Sequence, residues 1–310
     1  MAITAAMVKE LREMTGVGMM DCKKALAETD GDMEKAVEIL REKGLAASAK
    51  KAGRIASEGM VEIYLSDDNK VGAIVEVNSE TDFVAKNQVF RDYVAAVAKQ
   101  ASASSAKDMD EFFAEKWSLD AQFTVKEALS QQVAVIGENL NIRRFEKYEK
   151  TSSGKLVSYI HGGGRIGVMI ELACEKEDDA LVELGKNIAM QIAALNPKFI
   201  AEKDVPQDFV DKETEILTAQ AKNDPKNANK PDNIIEKMIV GRLKKEMKEF
   251  CLVEQPYVKD GDLTVQKYID SVAKEVGASI EIARFVRFET GEGLEKKEEN
   301  FADEVAKAMN

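Results

Sequence analysis

A repeated pattern of apolar runs constrains the fold of this chain more than any other feature. Residues 71–77 and 166–172 share the same order of glycine, apolar residues and glutamate, with Gly72 and Gly167 at matching places. The offset is constant (167 − 72 = 95), and a second strand-like run precedes each across a short turn, at 60–65 and 156–160. Paired apolar runs joined by short turns are typical of β-hairpins. The chain is therefore predicted to contain the same hairpin twice.

A third strand repeats as well. Residues 137–145 match 277–285 at a larger offset (277 − 137 = 140), so the second copy carries an insertion (140 − 95 = 45). An amphipathic helical pattern follows each hairpin. Because a sheet buries one face under helices, we predict an α+β fold of two repeated halves, each a three-stranded antiparallel sheet with helices on one face.

The N-terminal segment predicts a separate helical unit. Residues 4–44 contain three short amphipathic patterns, the first broken at Gly16, the second capped by Asp21, and the third capped by Asp32 and ended by Gly44. The turn at 16–20 resembles the hydrophobic loop of ubiquitin-associated domains. Met19 and Met20 in that turn are either core residues or an adaptable binding surface.

The insertion in the second copy predicts a helical hairpin. Two narrow apolar stripes flank the breaker-rich stretch 223–231, which gives a protruding pair of helices at about 207–250. A final amphipathic pattern includes Phe301. The predicted organisation is a ubiquitin-associated-like three-helix module at 1–45, a linker at 46–58, a first core half at 59–148, a second core half at 149–290 with the hairpin, and a C-terminal helix module at 291–310.

Composition excludes several classes of function. A formal net charge of −12 over 310 residues argues against direct nucleic-acid binding, which needs a basic face. Three widely spaced cysteines argue against a disulfide framework or zinc site, and the N-terminus lacks signal-peptide features, so we expect a cytoplasmic protein. No run of 18 apolar residues is present to span a membrane.

Catalytic chemistry is also poorly supported. The single histidine, His161, lies beside a glycine turn with no nearby cysteine or second histidine, which suits a contact residue at a hairpin tip. No phosphate-binding glycine loop follows a strand, and no nucleophile is paired with a base. We therefore expect no cofactor, no metal and no enzymatic activity, and we favour a binding or regulatory protein.

The stretch 78–87 is the main candidate for a binding site, because it leaves the end of a predicted buried strand. One alternative is that Asp82 caps the following helix and Phe83 packs beneath it. The other is that Asp82 and Phe83 point outward towards a partner. The matching place in the second copy, 173–178, has no aromatic residue, so the scaffold can be built without one. This difference favours an outward Phe83.

Four segments, taken in order, resemble bacterial elongation factor Ts: residues 11–26, 81–86, 136–139 and 161–163. The resemblance covers nearly the whole chain. It implies a guanine-nucleotide exchange factor that binds elongation factor Tu in its GDP-bound and nucleotide-free states and performs no covalent chemistry. With both halves in one chain, it implies one chain per Tu.

The resemblance also implies roles for individual residues. Thr81, Asp82, Phe83 and Val84 would disturb the Mg²⁺ site of Tu, with Phe83 as a wedge between helices of its GTP-binding domain. Further contacts to that domain would come from Ile136 and Gly137, from Met19 and Met20, and from the C-terminal helix around Phe301. His161 would hold another Tu domain.

Two other functions remain open from the residues alone. The Met19–Met20 pair is consistent with an adaptor whose N-terminal module binds a ubiquitin-like or other helical partner. A core of this size is also consistent with an enzyme that uses buried carboxylates.

Overall fold

The computed structural model describes residues 3–151, 153–227 and 230–296. Within these ranges the chain forms eleven α-helices and three antiparallel sheets. The strands are β1 (Glu58–Leu65), β2 (Val71–Ser79), β3 (Asn141–Glu149), β4 (Gly154–His161), β5 (Ile166–Cys174), β6 (Pro256–Tyr257), β7 (Asp260–Thr264) and β8 (Ile280–Glu289). The helices are α1 (Ala5–Thr15), α2 (Met19–Glu28), α3 (Met33–Lys51), α4 (Asp82–Ala85), α5 (Gln88–Ala103), α6 (Met109–Ala114), α7 (Val125–Ile136), α8 (Ala180–Leu195), α9 (Gln207–Asn223), α10 (Asp232–Phe250) and α11 (Val265–Val276).

The two predicted three-stranded sheets are confirmed. The first has the order β1-β2-β3 and the second β4-β5-β8, so each hairpin is completed by a strand from far along the chain. The repeat extends to the register, because the pairing shifts directly after Glu76 in β2 and directly after Glu171 in β5. A small third sheet, β6-β7, has no counterpart in the prediction.

Each sheet is buried on both faces. Helices α5 and α7 cover the outer face of the first sheet, and α8 and α11 cover that of the second. The inner faces pack against each other through a shared cluster that contains Val61, Ile74, Tyr148, Leu156, Met169 and Phe288. Burial on both faces is the physical reason why the central strands are continuous apolar runs. Helices cover one face of each sheet, as predicted. The contact between the other faces of the two sheets was not predicted.

Glycines in the central strands permit this close approach. A Cβ atom at Gly72 would lie 2.6 Å from the sulfur of Met169 in the other half. At Gly167 it would lie 2.5 Å from Cγ1 of Val61, again in the other half. The contact between the two sheets is therefore reciprocal. A glycine in each sheet leaves room for a side chain of the other sheet.

Buried glutamates paired with partly exposed arginines reinforce the same interface. The fully buried carboxylate of Glu76 accepts a 2.6 Å hydrogen bond from Nε of Arg144, whose guanidinium lies 4.2 Å from the ring centre of Phe288. In the second half, Glu171 accepts from Nε of Arg284 at 2.7 Å. Arg284 in turn lies 4.0 Å from the ring centre of Tyr148 in the first half. Each half thus supplies an arginine that stacks on an aromatic ring of the other.

Two predicted boundaries in the N-terminal segment are wrong. Helix α2 begins at Met19 with Gly18 as its N-cap, so Asp21 lies within the first turn, where its charge suits the helix dipole. Helix α3 does not end at Gly44 but continues to Lys51, into the range predicted as a linker. Gly44 lets α3 lie close to α7, since an added Cβ atom would be 3.7 Å from Cβ of Ala134. The predicted cap at Asp32 is confirmed.

The helical hairpin predicted at about 207–250 is present as α9 and α10. Its core is the small cluster of Leu217, Ala221 and Ile239. In the first half, Thr124 and Glu127 form a capping box at the start of α7, and Trp117 is buried. The C-terminal helix predicted around Phe301 lies outside the described residues. Across the ranges that the structure describes, no helix has the length and hydropathy needed to cross a membrane.

Candidate protein-binding site

The segment after β2 forms the short helix α4 before α5 begins. Asn87 caps α5, because its side-chain oxygen accepts from the backbone N–H of Val89 at 2.8 Å. The alternative in which Asp82 caps the long helix is therefore wrong. Its carboxylate lies in the first turn of α4, 2.6 Å from Nζ of Lys86, and both side chains are solvent-exposed.

Phe83 is the most exposed large apolar side chain of the described residues, with 79% of its surface accessible. Its neighbour Val84 is buried in the core of the first half and anchors the turn. Nζ of Lys86 lies 5.8 Å from the centre of the Phe83 ring. Phe83 therefore does not pack beneath the helix, and its ring is available to another surface.

A reciprocal pair of carboxylates joins this segment to the end of α7. One oxygen of Glu138 accepts from the backbone N–H groups of Glu80 and Thr81, both at 3.1 Å, and the other accepts from the Thr81 hydroxyl at 2.7 Å. In return, Glu80 accepts from the backbone N–H of Asn139 at 2.6 Å. We call these two residues the carboxylate clasp. It brings residues 81–84 beside 136–137.

Ile136 and Gly137 occupy the C-terminal end of α7. Gly137 ends the helix in the left-handed conformation (φ 86°), which glycine adopts without strain. Ile136 is half-buried and Gly137 is exposed. Ile136 and Gly137 are both predicted contact residues, whereas no role was predicted for Glu80 or Glu138, because a hydrogen bond between loops distant in sequence leaves no local pattern.

The turn of the second hairpin approaches the same segment. A groove of about 350 Å³ is lined by Asp82 and Lys86 on one side and by Gly162 and Gly163 on the other. His161, which begins this turn, is exposed, and its Nδ1 lies 3.0 Å from the hydroxyl of Tyr159. The two halves therefore present α4 and the glycine turn side by side.

Met19 and Met20 are 52% and 65% exposed at the start of α2, so the core alternative is wrong for both. The preceding turn is close to the end of α7, since a Cβ atom at Gly16 would lie 3.4 Å from Cγ2 of Val135. The predicted binding residues therefore occur in neighbouring segments, from the α1–α2 turn past α7 to α4 and the glycine turn. Phe301 is outside the described residues.

The site holds contact groups rather than reactive ones. Within the part of the chain that the structure describes, no group of three or more His, Cys, Asp or Glu side chains is arranged to hold a metal ion. The three cysteines are buried, and burial raises the pKa of the Cys251 thiol to about 11. An exposed aromatic ring, exposed methionines and a groove between two halves are typical features of a protein-binding surface, here carried by a repeated α+β scaffold.

Comparison with known proteins identifies which factor family this is. The family model for Elongation factor TS matches residues 80–292. Elongation factor Ts of Clostridium novyi (strain NT) is 58% identical over 308 residues, covering 99% of both chains. Those of Clostridium perfringens (strain SM101 / Type A) and Clostridium kluyveri (strain NBRC 12016) are each 57% identical, over 98% and 99% of both chains. The chain belongs to the elongation factor Ts family and is a translation elongation factor.

Proposed function

We propose that this chain binds GDP-loaded elongation factor Tu and accelerates the release of GDP, so that GTP can enter. The observation that carries the proposal is the exposed Phe83, held on a short helix whose base is fixed by the carboxylate clasp. Family membership supplies the partner. The proposal involves no covalent chemistry and places the protein in the cytoplasm, where translation takes place.

The mechanism is thermodynamic linkage between two ligands of Tu. A protein that binds nucleotide-free Tu more tightly than GDP-bound Tu must weaken GDP binding by the same factor. Mg²⁺ neutralises phosphate charge in a nucleotide site, so moving its ligands loosens the nucleotide. Burying a phenylalanine side chain contributes about 1.5–3 kcal/mol. That free energy is the size of an interface hot spot and is available for displacing groups of the Tu site.

The proposal assigns a task to each segment of the surface. Residues 81–84 act at the Mg²⁺ site, with Phe83 as the wedge, and Ile136 and Gly137 contact the same Tu domain. Met19 and Met20 add contacts there, as would Phe301. His161 holds another Tu domain. Because a single chain supplies both halves, one chain binds one Tu, whether Tu carries GDP or no nucleotide.

The test is release of a fluorescent GDP analogue from Tu, followed with and without the chain. We expect strong acceleration by the intact chain and loss of most of it in the double variant Asp82→Ala, Phe83→Ala. Leu119→Ala is the matched control, because Leu119 is also highly exposed (72%) in the first half but is not in the proposed surface. Unchanged release in the presence of the intact chain would refute the proposal.

A further inference from the structure

We propose that Glu80 and Glu138 are positioning residues that set the place of Phe83 relative to Ile136. This inference rests on the proposed exchange function and deepens it. Neither glutamate needs to touch the partner. Their task is to hold two loops, one after β2 and one after α7, as a single rigid unit.

The hydrogen bonds of the clasp are both reciprocal and charge-assisted. Glu138 accepts hydrogen bonds from two backbone N–H groups and one hydroxyl of the segment that leads into α4. Glu80 accepts a hydrogen bond from the backbone N–H of Asn139 in the other loop. Hydrogen bonds to a carboxylate are shorter and stronger than neutral ones. Because each loop both donates and accepts, neither can shift without breaking contacts at its own backbone.

A third segment closes the clasp from behind. Nη1 of Arg54, in the turn before β1, lies 3.4 Å from the same oxygen of Glu80. The side-chain amide of Asn139 donates to the backbone carbonyl of Arg54 at 2.8 Å. Glu80 is thus held from two sides, and its own side chain is mostly buried. The arrangement is built from fixed backbone groups rather than from freely rotating surface side chains.

The second half shows that the fold does not require a carboxylate here. Ala278 occupies the place that corresponds to Glu138, and Lys176 the place that corresponds to Thr81. Nζ of Lys176 donates to the carbonyl of Val276 at 2.9 Å, which joins the same two loops by one flexible side chain. The clasp is therefore an addition in the half that carries Phe83. A device present only beside the exposed ring points to the function of that ring.

The expected effect is on the exchange step more than on binding. Contacts made by Met19, Met20 and His161 do not depend on the clasp, so association with Tu persists without it. A wedge on a loosened loop must be ordered during the exchange step, which lowers the coupling between the two ligands. We therefore expect kcat for exchange to fall while the KM for Tu·GDP changes little.

The experiment measures kcat and KM for exchange from the dependence of GDP release on Tu·GDP concentration, using the full chain. For Glu138→Ala we expect kcat to fall by at least about tenfold with KM within about threefold of the wild-type value. Glu138→Gln keeps a carbonyl acceptor for the two backbone N–H groups, so it should restore kcat to within about threefold. Glu175→Ala is the matched control, because Glu175 corresponds to Glu80 in the second half.

A second readout is independent of Tu. Amide hydrogen exchange at Glu80 and Thr81 should accelerate in Glu138→Ala and stay slow in Glu138→Gln and Glu175→Ala. If Glu138→Ala does not fold, Glu80→Ala decides, because Glu80 lies outside residues 81–84 and its removal takes away the acceptor of the Asn139 N–H, which should lower kcat without raising KM. Normal kcat in the folded Glu138→Ala or Glu80→Ala variants would overturn the inference. A wild-type chain with protected amides and no effect on GDP release would instead refute the proposed function.

Discussion

The two halves of the core use one scaffold in two ways at the same point of the fold. After β2, the chain presents Phe83 to solvent from a clasped loop. After β5, Asp178 occupies the place of Phe83 and accepts from the backbone N–H of Ala180 at the start of α8. The strands, the shift in pairing register and the buried glutamate are shared, whereas the loop chemistry differs. The repeat therefore supplies a common framework, and the two halves differ in the loops that follow β2 and β5.

The buried glutamates show a second difference. Glu76 accepts hydrogen bonds from Arg143, Arg144, Asn78 and the backbone N–H of Gly291. Glu171 accepts only from Arg284 and Thr151 among the described residues. The first half thus concentrates more donors on its carboxylate, including one from the segment that follows β8.

The largest expected effect tests this difference. Glu76→Ala should lower the free energy of unfolding by about 3–5 kcal/mol, because it leaves partly buried arginines and buried amide donors without their acceptor. Glu171→Ala should cost less, since fewer donors lose their partner. Urea unfolding followed by circular dichroism measures both. Equal losses, or a larger loss for Glu171→Ala, would break the comparison.

The next effect tests the specialised loop. Phe83→Asp places in the first half the residue type that the second half has there, and we expect exchange on Tu to slow by about a hundredfold. The free energy of unfolding should change by less than about 0.5 kcal/mol, because the ring is exposed. Stopped-flow release of a fluorescent GDP analogue measures the rate. Leu119→Asp provides the control for a new charge at an exposed apolar position and should leave the rate unchanged.

A smaller effect tests the corresponding loop of the second half. Lys176→Met removes the hydrogen bond to Val276 while keeping most of the aliphatic side chain, so it should cost about 0.5–1.5 kcal/mol of stability. Because the second half carries no wedge at this point, exchange should keep its wild-type rate. Thermal unfolding and the exchange assay give the two values. A slowed exchange would show that both loops share the task.

The smallest effect concerns the N-terminal helices, of which α3 packs against α7 of the first half. A hydrogen bond from the backbone N–H of Thr124, together with the Arg41 guanidinium, lowers the pKa of Glu127 below its ordinary value of 4.5. The ionised form is therefore favoured in the folded state. The resulting stabilisation is present above the unfolded pKa and is lost as the pH falls through the folded pKa.

We expect Glu127→Gln to be less stable than the wild type by up to about 1 kcal/mol at pH 7, because the ion pair is partly exposed. The difference should shrink as the pH falls below 4.5 and through the lowered pKa of folded Glu127, where the wild-type carboxylate takes up a proton. Urea unfolding of both chains at pH 7, 5 and 3.5 tests this. A difference that grows towards low pH would contradict the assignment.

The sequence predicted the framework well because its signals are local. Continuous apolar runs marked β2 and β5. The end of α3 was missed because a glycine that permits close packing inside a helix looks the same, locally, as one that ends it. The contact between the sheets was missed because periodicity shows which faces are apolar, not which faces meet. The exposed Phe83 was found by comparing the copies, whereas the clasp left no signal.

The continuous helix α3 has a mechanical consequence for the N-terminal surface. A flexible tether would let Met19 and Met20 sample many orientations, whereas a helix from Met33 to Lys51 that packs on α7 fixes their direction. Each helical residue advances about 1.5 Å and turns the chain by about 100°. One residue inserted near Ala46 would therefore rotate the N-terminal helices relative to the rest of the chain. One residue inserted at Gly53 would lengthen only the turn beyond the helix and leave their orientation unchanged. The number of residues in α3 therefore sets the direction in which Met19 and Met20 face.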